Sequence, residues 1–160
     1  MKKRTVLVNA CLLGVPCRYD GGEKTHPLAP MLAQGCHLLP VCPEQLGGLP
    51  TPRTPAERRG ERVVTRDGRD VTAAYRRGAQ AALRLCRLCG CETAVLKARS
   101  PSCGCGRIYD GSFSGALIPG DGVAAALLKE NGVCVMTEEG EDGLRALLRG
   151  DGEGCPKAGH

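Results

Sequence analysis

Aromatic residues are almost absent from this chain. Its 160 residues include no tryptophan, three tyrosines and one phenylalanine. A stacking platform for single-stranded nucleic acid needs several aromatic side chains, so stable nucleic-acid binding is not predicted despite a net charge of +5. The core must be built from leucine, valine and alanine, which favours an α/β domain over an all-β sandwich.

Long apolar runs are also missing. The segment Met1-Lys2-Lys3-Arg4 leads into an apolar stretch too short for a signal peptide. No run reaches the ~18 residues that a membrane span requires. We therefore expect a cytoplasmic protein with no membrane segment. In a reducing compartment, the eleven cysteines of the chain are expected to bind metal or to act in catalysis rather than to form disulfides.

The hydrophobic pattern predicts a single α/β cluster-binding domain over residues 1–149 and a flexible C-terminal tail over 150–160. Its fold class is a mainly parallel sheet of four to five strands with helices on both faces, Rossmann-like or flavodoxin-like. The predicted strands are residues 5–10, 36–41, 93–96 and 133–136. The predicted helices are residues 28–34, a long helix after Asp70 that Gly90 ends, and a helix capped by Asp121 that runs through Lys129.

The segment between the second strand and the long helix has a different composition. Three prolines and several arginines in residues 50–62 predict an exposed basic loop without regular structure. The dipeptide Asp67-Gly68 between residues 63–65 and 70–72 predicts a small hairpin outside the main sheet.

Three cysteines follow predicted strands, where loops begin. Cys11 follows the first strand, Cys42 follows the second, and Cys103 lies in the loop after the third. If these strands are parallel neighbours, the three thiols meet at the carboxyl edge of one sheet, where open α/β folds bind their ligands. Three thiolates fit a metal ion or an iron–sulfur cluster better than a catalytic triad.

The remaining cysteines have other interpretations. Those inside predicted strands or helices are expected to fill the core, and they are Cys36, Cys86 and Cys134. The order Cys86-x2-Cys89-x-Cys91, followed by Cys103-x-Cys105, resembles the two ligand pairs of a zinc ribbon, although its spacing is imperfect. A second, structural thiol site formed by these cysteines is therefore an alternative interpretation.

Four motifs occur in a fixed order along residues 5–140. They are Asn9–Gly14 with Cys17–Gly21, Pro40–Glu44 with Gly47–Leu49 and Pro52-Arg53, Val63–Thr65 with Asp67-Gly68 and Asp70–Thr72, and Lys97 with Ser100–Gly104. In these motifs the chain resembles the family known as domain of unknown function 523, which includes the thiouracil desulfidases.

The resemblance implies a non-redox desulfidase that removes the sulfur of a thiolated pyrimidine base, converting thiouracil to uracil plus sulfide. It implies a [4Fe-4S] cluster with one iron not bound by protein, held by Cys11, Cys42 and Cys103. Either Cys17 or Cys105 could join the cluster as a less favoured ligand. The implied partners are a small-molecule thiolated nucleobase and the iron–sulfur assembly machinery.

The resemblance also implies a catalytic pair, Glu44 and Ser100. Glu44 follows Cys42 by two residues, so it would lie beside the cluster and could take a proton from the attacking water. Ser100 or Ser102 could donate a hydrogen bond to the pyrimidine or to a cluster sulfide, or could satisfy the turn backbone instead. The alternative function is a non-enzymatic zinc or iron–sulfur module that interacts with RNA, favoured by charge and disfavoured by the few aromatic residues.

Overall fold

The computed structural model describes residues 3–149, so the predicted tail over 150–160 lies outside the described residues. Eight strands and five helices follow one another along the described chain. They are β1 (Arg4–Asn9), α1 (Ala29–Gly35), β2 (Cys36–Val41), α2 (Pro43–Leu46), β3 (Ala56–Arg59), β4 (Arg62–Thr65), α3 (Thr72–Leu88), β5 (Thr93–Leu96), β6 (Arg107–Tyr109), β7 (Leu117–Pro119), α4 (Val123–Glu130), β8 (Cys134–Thr137) and α5 (Glu141–Leu148).

A four-stranded parallel sheet in the order β2–β1–β5–β8 forms the centre of the fold. Its strands are short apolar runs because both faces of a parallel sheet are covered. In β1, Val6, Leu7 and Val8 are fully buried. The predicted parallel α/β fold is confirmed.

Helices pack on both faces of this sheet. Val6 and Val8 join Leu32 of α1 and Leu144 of α5 in one core cluster. Leu7 points to the opposite face, because side chains alternate along a strand, and joins the cluster that contains residues of α3 and α4. The predicted placement of helices on both faces is therefore confirmed.

The direction of the chain across the sheet reverses between β1 and β5. From β1 the chain crosses to β2 on one side, and later returns to β5 on the other side. Open α/β folds bind ligands at such a switch point, beyond the carboxyl ends of the strands. The topology alone thus indicates where a site is expected.

The segment after β2 differs from the prediction of an exposed, irregular loop over residues 50–62. Residues 56–59 form β3, which pairs antiparallel with β4. The side chain of Arg53 is only 8% exposed because it forms an ion pair with Glu44. The turn at Asp67-Gly68 does form, but the chain after it returns to β4 only through a bridge between Val64 and Asp70. The main arm of the hairpin is therefore β3, which the sequence analysis missed.

Asp121 does not cap α4, contrary to the prediction. Its carboxylate accepts hydrogen bonds from the Gly106 amide and the Lys129 ammonium group. The first amides of α4 donate instead to the carbonyl oxygens of Pro101 and Ser102.

The sequence analysis also missed α2, α5 and the hairpin of β6 and β7. Within residues 3–149, no helix is both long enough and apolar enough to cross a membrane.

Candidate functional site

A cavity of about 520 Å³ opens at the carboxyl ends of β1, β2 and β5. All five residues predicted for the site line it, namely Cys11, Cys42, Cys103, Glu44 and Ser100. The predicted convergence of the three strand ends therefore occurs in the structure. The roles of these residues as ligands and catalysts stay predictions at this point.

The two alternative ligands are in different places. Cys17 lines the cavity. The thiol of Cys105 instead lies 3.7 Å from the carbonyl oxygen of Val135 and packs against the core. We name Cys11, Cys17, Cys42 and Cys103 the cavity thiols. Cys105 is therefore the weaker of the two alternatives.

Cys42 occupies the junction between β2 and α2, and tight helix packing fixes it there. Pro43 takes the first position of α2, where its missing N–H costs nothing. The helix then contacts α3 so closely that a Cβ atom added to Gly78 would lie 1.8 Å from the Pro43 carbonyl oxygen, and one added to Gly47 would lie 2.0 Å from that of Ala74. These two glycines allow the close approach that places Cys42 and Glu44 at the cavity.

The loop carrying Cys103 is closed by the serine before it. Ser100 Oγ accepts hydrogen bonds from the amides of Ser102 and Cys103, at 3.1 Å each. The loop also lies against the first turn of α4, where a Cβ atom added to Gly122 would be 2.3 Å from the Ser102 carbonyl carbon. The structure thus gives Ser100 a turn-closing role and leaves its hydroxyl hydrogen available for donation.

Asn9 connects the three strand ends. It is 3% exposed, and its Oδ1 accepts a hydrogen bond from the Lys97 amide at 2.6 Å. Its Nδ2 donates to the Val41 carbonyl oxygen, 3.4 Å away. One side chain therefore joins the end of β1 to β2, just before Cys42, and to β5.

Burial dominates the protonation of the cavity thiols. It raises the pKa of Cys11 to about 11 and that of Cys17 to about 12, and the neighbouring Cys42 raises both further. Lys97 and Arg18 oppose this shift at Cys11. Burial and then Glu44 raise the pKa of Cys103, while hydrogen bonds from Ser102 and Asn9 lower it. At neutral pH these three thiols are therefore protonated unless a bound metal displaces the protons.

Glu44 is held by an arginine. Oε2 of Glu44 lies 2.6 Å from Arg53 Nη2 and 2.8 Å from Arg53 Nε. The same guanidinium donates to the Cys17 carbonyl oxygen at 3.0 Å, so it links Glu44 to the loop that carries a cavity thiol. Oε1 of Glu44 accepts no hydrogen bond from the described residues. That oxygen is the one able to take a proton from a bound molecule.

The sequence analysis assigned no role to Asn9, Arg53 or Lys97, although all three line the cavity. Lys97 forms a 2.9 Å ion pair with Glu138, whose carboxylate also accepts a hydrogen bond from the Ala98 amide at 2.8 Å. Asn9 did carry a local signal, since it is a polar residue at the end of a buried strand. Arg53 and Lys97 belong to the motifs of the resemblance, but the sequence alone did not indicate that they pair with Glu44 and Glu138.

A second group of thiols surrounds the end of α3. We name Cys86, Cys89 and Cys91 the helix-end thiols. The Cys86 thiol donates to the Cys91 carbonyl oxygen at 3.2 Å, and Cys89 is exposed. Within the described chain, no three cysteine, histidine or acidic side chains are grouped closely enough to hold one metal ion. This argues against the zinc-ribbon interpretation, which needs four ligands on a single ion, but not against a cluster in which each iron takes one thiolate.

Comparison with known proteins agrees with this geometry. The profile of the 2-thiouracil desulfurase family matches residues 6–140. The uncharacterized protein YbbK of Bacillus subtilis (strain 168) is 41% identical over 143 residues, which span 83% of this chain and 95% of YbbK. A solved structure described as the [4Fe-4S]-dependent thiouracil desulfidase TudS is 49% identical, covers 92% of this chain and 97% of its own, and superposes with a TM-score of 0.85.

Proposed function

This chain belongs to the 2-thiouracil desulfurase family, and on that basis we propose that it is a [4Fe-4S]-dependent desulfidase. The proposed reaction replaces the sulfur of a thiolated pyrimidine base with the oxygen of water and releases sulfide. The observation that carries the proposal is the meeting of Cys11, Cys42 and Cys103 with Glu44 around one cavity. The similarity to TudS, whose description names the same cofactor and substrate, supports it.

The donor set fits an iron–sulfur cluster. Four thiols line one cavity, and soft thiolates are the ligands that such clusters use. Lys97 and Arg18 lie close enough to lower the pKa of Cys11, so positive charge is available to offset thiolate charge.

We assign the cluster to Cys11, Cys42 and Cys103, which leaves one iron without a protein ligand. Each of the three follows a different strand of the sheet, so the rigid scaffold fixes their separation. Cys17 lies in the loop after the turn that carries Cys11, where its carbonyl oxygen is 3.7 Å from the Cys42 thiol, and we assign it as a neighbour of the cluster rather than a ligand. When bound, the cluster supplies a Lewis-acidic iron that accepts the soft sulfur of the substrate and draws electrons from the C=S carbon.

Glu44 is the proposed general base. Arg53 binds Oε2, so Oε1 is the oxygen left to accept the proton of the attacking water. A positioned base of this kind contributes roughly 10²–10⁴-fold to the rate. The hydroxyl of Ser100 is proposed to donate its hydrogen to the substrate, while its oxygen holds the Cys103 loop through the two amides.

The decisive experiment is anaerobic preparation, iron and sulfide analysis, and an assay with 2-thiouracil and 4-thiouracil. The expected result is about four irons per chain, uracil and sulfide in equal amounts, and no need for an added reductant, because exchange of sulfur for oxygen changes no oxidation state. Turnover that requires dithionite would exclude the hydrolytic reaction. Turnover of no thiolated base by an iron-loaded protein would exclude the proposed activity itself.

Glu44→Gln isolates the general base, because the amide keeps the shape of the side chain but accepts no proton at neutral pH. We expect iron content to remain and turnover to fall by at least about a hundredfold. Glu130→Gln, at the exposed end of α4, is the matched control and should change neither property. Loss of iron together with activity would mean that Glu44 supports the Cys42 junction instead.

A further inference from the structure

The few aromatic residues of this chain all line the cavity. The sequence contains three tyrosines and one phenylalanine, and Tyr19, Tyr75, Tyr109 and Phe113 are all among the cavity residues. They come from three separate segments, with Tyr109 and Phe113 in the same hairpin, so no local pattern in the sequence predicts this grouping. Such a concentration of planar side chains indicates a cavity suited to a flat ligand.

Phe113 is the most unusual of the four. It lies between β6 and β7 with a backbone φ of 58°, a left-handed conformation that is rare for a bulky residue. The side chain is only half-buried, so core packing does not explain the conformation. Backbone strain of this kind concentrates at functional sites and needs surrounding contacts to maintain it.

A buried carboxylate supplies those contacts. Glu57 of β3 is 8% exposed, and its Oε1 accepts hydrogen bonds from the amides of Gly111 and Phe113, both at 3.0 Å. Burying a carboxylate is costly, and the two amides offset that cost. Glu57 itself lines the cavity. One hairpin thus uses a charged side chain to hold the loop of the other hairpin at the cavity.

Two arginines further restrict the ring. The guanidinium carbons of Arg59 and Arg66 lie 5.9 and 5.6 Å from the centre of the Phe113 ring. Arg59 also donates to the Gly111 carbonyl oxygen at 2.7 Å. Position 111 has no room for a side chain, since a Cβ atom there would be 2.4 Å from Arg59 Cγ. The ring is therefore held in place before any ligand binds.

We propose that Phe113 is a specificity-determining residue that packs against the flat face of the heterocyclic substrate, and that Glu57 is the residue that positions it. The proposal rests on the desulfidase function and adds to it the residues that recognise the ring of the substrate. A planar heteroaromatic thiocarbonyl compound gains affinity by packing against the Phe113 ring. A small thiocarbonyl compound without a ring, such as thiourea, does not. In this proposal the cavity thiols bind the cofactor, and the two hairpins that line the same cavity select the substrate.

The main test compares Phe113→Ala and Phe113→Tyr in the iron-loaded protein. Base–aromatic stacking contributes roughly 1–3 kcal/mol, which corresponds to a KM about five- to a hundredfold higher for 2-thiouracil in Phe113→Ala. The tyrosine variant should keep the wild-type KM, and iron content should be equal in both. Ile118→Ala is the matched control, because Ile118 is an exposed apolar residue of the same hairpin that does not line the cavity.

Glu57→Gln and the double variant with Phe113→Ala test the positioning role. The amide accepts the two backbone hydrogen bonds less strongly than a carboxylate, so KM should rise severalfold with kcat changed less. In the double variant the two effects should not add, because Glu57 acts through Phe113. Additive increases in KM would overturn the assignment of Glu57.

Equilibrium dialysis of uracil, the proposed product, separates this proposal from the desulfidase function. The wild-type protein should bind uracil more tightly than Phe113→Ala, and neither measurement requires turnover. If the wild-type protein is inactive but still binds uracil more tightly than Phe113→Ala, the desulfidase activity is overturned and the role of Phe113 in binding the ring is not. Equal uracil affinity and equal KM in wild type and Phe113→Ala, or loss of iron from Phe113→Ala, would overturn the role of Phe113.

Discussion

The cavity thiols and the helix-end thiols use the same side chain in two different surroundings. Burial raises the thiol pKa in both groups, to about 11 at Cys11 and to about 12 at Cys91. The cavity thiols border an open volume together with charged residues such as Glu44 and Lys97. Cys86 and Cys91 share a hydrophobic core cluster with Cys103, but unlike Cys103 they do not line the cavity. Neither burial nor the thiol itself therefore distinguishes a site, whereas position at the carboxyl end of a strand does.

The largest effect expected from this contrast is on iron content. Cys42→Ala should lose most of its iron and its activity, because two remaining protein ligands hold a cluster poorly. Cys86→Ala should keep both and lose only stability, by about 1 kcal/mol for a small buried deletion. Anaerobic spectra and iron analysis of the two variants measure the difference directly. Full iron content in Cys42→Ala, or loss of iron from Cys86→Ala, would contradict the assignment of the cluster to the cavity thiols.

A smaller effect is expected when the cavity thiols are kept but their scaffold is weakened. Asn9→Ala leaves the Lys97 amide and the Val41 carbonyl oxygen without their side-chain partner, at a cost of about 1–3 kcal/mol for buried groups. Part of the iron should be lost with it.

Asn131→Ala is the matched control for that substitution. Asn131 also makes two side-chain hydrogen bonds, one to Leu127 and one to Arg87, but it is exposed. Its replacement should leave iron content unchanged and lower the free energy of unfolding by less than Asn9→Ala does. Equal losses in the two variants would show that Asn9 has no special connection to the cavity.

The pH dependence of stability should distinguish the two groups more finely. A thiol whose pKa is about 9 when unfolded and about 11 to 12 when folded stabilises the protein fully below pH 9, and this contribution is lost as pH rises towards 12. The free energy of unfolding of the cluster-free protein should therefore fall above pH 9, by at most about 1.4 kcal/mol per pH unit for each thiol. The free energy of unfolding can be measured by urea titration at several pH values. Its decrease with pH should be less steep in Cys17→Ala than in the wild-type protein.

Cluster binding sharpens this comparison, because metal-bound thiolates carry no proton. In the iron-loaded protein, Cys11 should no longer contribute to the alkaline loss of stability, while Cys91 should still do so. The same slope with and without iron would contradict the ligand assignment of Cys11.

The smallest effect is expected at Cys89. Its side chain is exposed, so Cys89→Ser should change the free energy of unfolding by less than about 0.5 kcal/mol and leave iron content intact. In the cluster-free protein, mass spectrometry after brief treatment with a thiol reagent should find this residue labelled first. Slower labelling of Cys89 than of Cys17 would show that the cavity is more open than the structure indicates.

The part of the site formed by residues that follow strands could be predicted from the sequence. Apolar runs in a parallel sheet are easily recognised, and the residues after them meet at one edge, so Cys11, Cys42 and Cys103 could be grouped without coordinates. The sequence could not distinguish Cys17 from Cys105 as a ligand, because only the structure shows that Cys17 lines the cavity and that Cys105 does not. That difference depends on loop conformation, which carries little local signal.

The part of the cavity formed by β3 and by the loop between β6 and β7 could not be predicted, for a different reason. β3 is built from Ala56–Arg59, a polar and charged segment with no strand periodicity, and it forms because its partner β4 is available. Phe113 and Glu57 are far apart in sequence, and the hydrogen bond from the Phe113 amide to the Glu57 carboxylate exists only in the folded chain. The role of Asp121 was misjudged similarly, since carbonyl oxygens of another loop replaced it at the start of α4.

The order of the strands has a consequence for biosynthesis. β1 lies between β2 and β5, so the first cavity thiol is made near the beginning of translation and the last only after β5 has followed. The Cys103 loop further requires the first turn of α4, whose amides bind Pro101 and Ser102. A nascent chain that contains Cys103 but still lacks α4 therefore lacks the contacts that hold the Cys103 loop against the cavity. The folded arrangement of all the cavity thiols therefore requires the chain to be made at least through the first turn of α4.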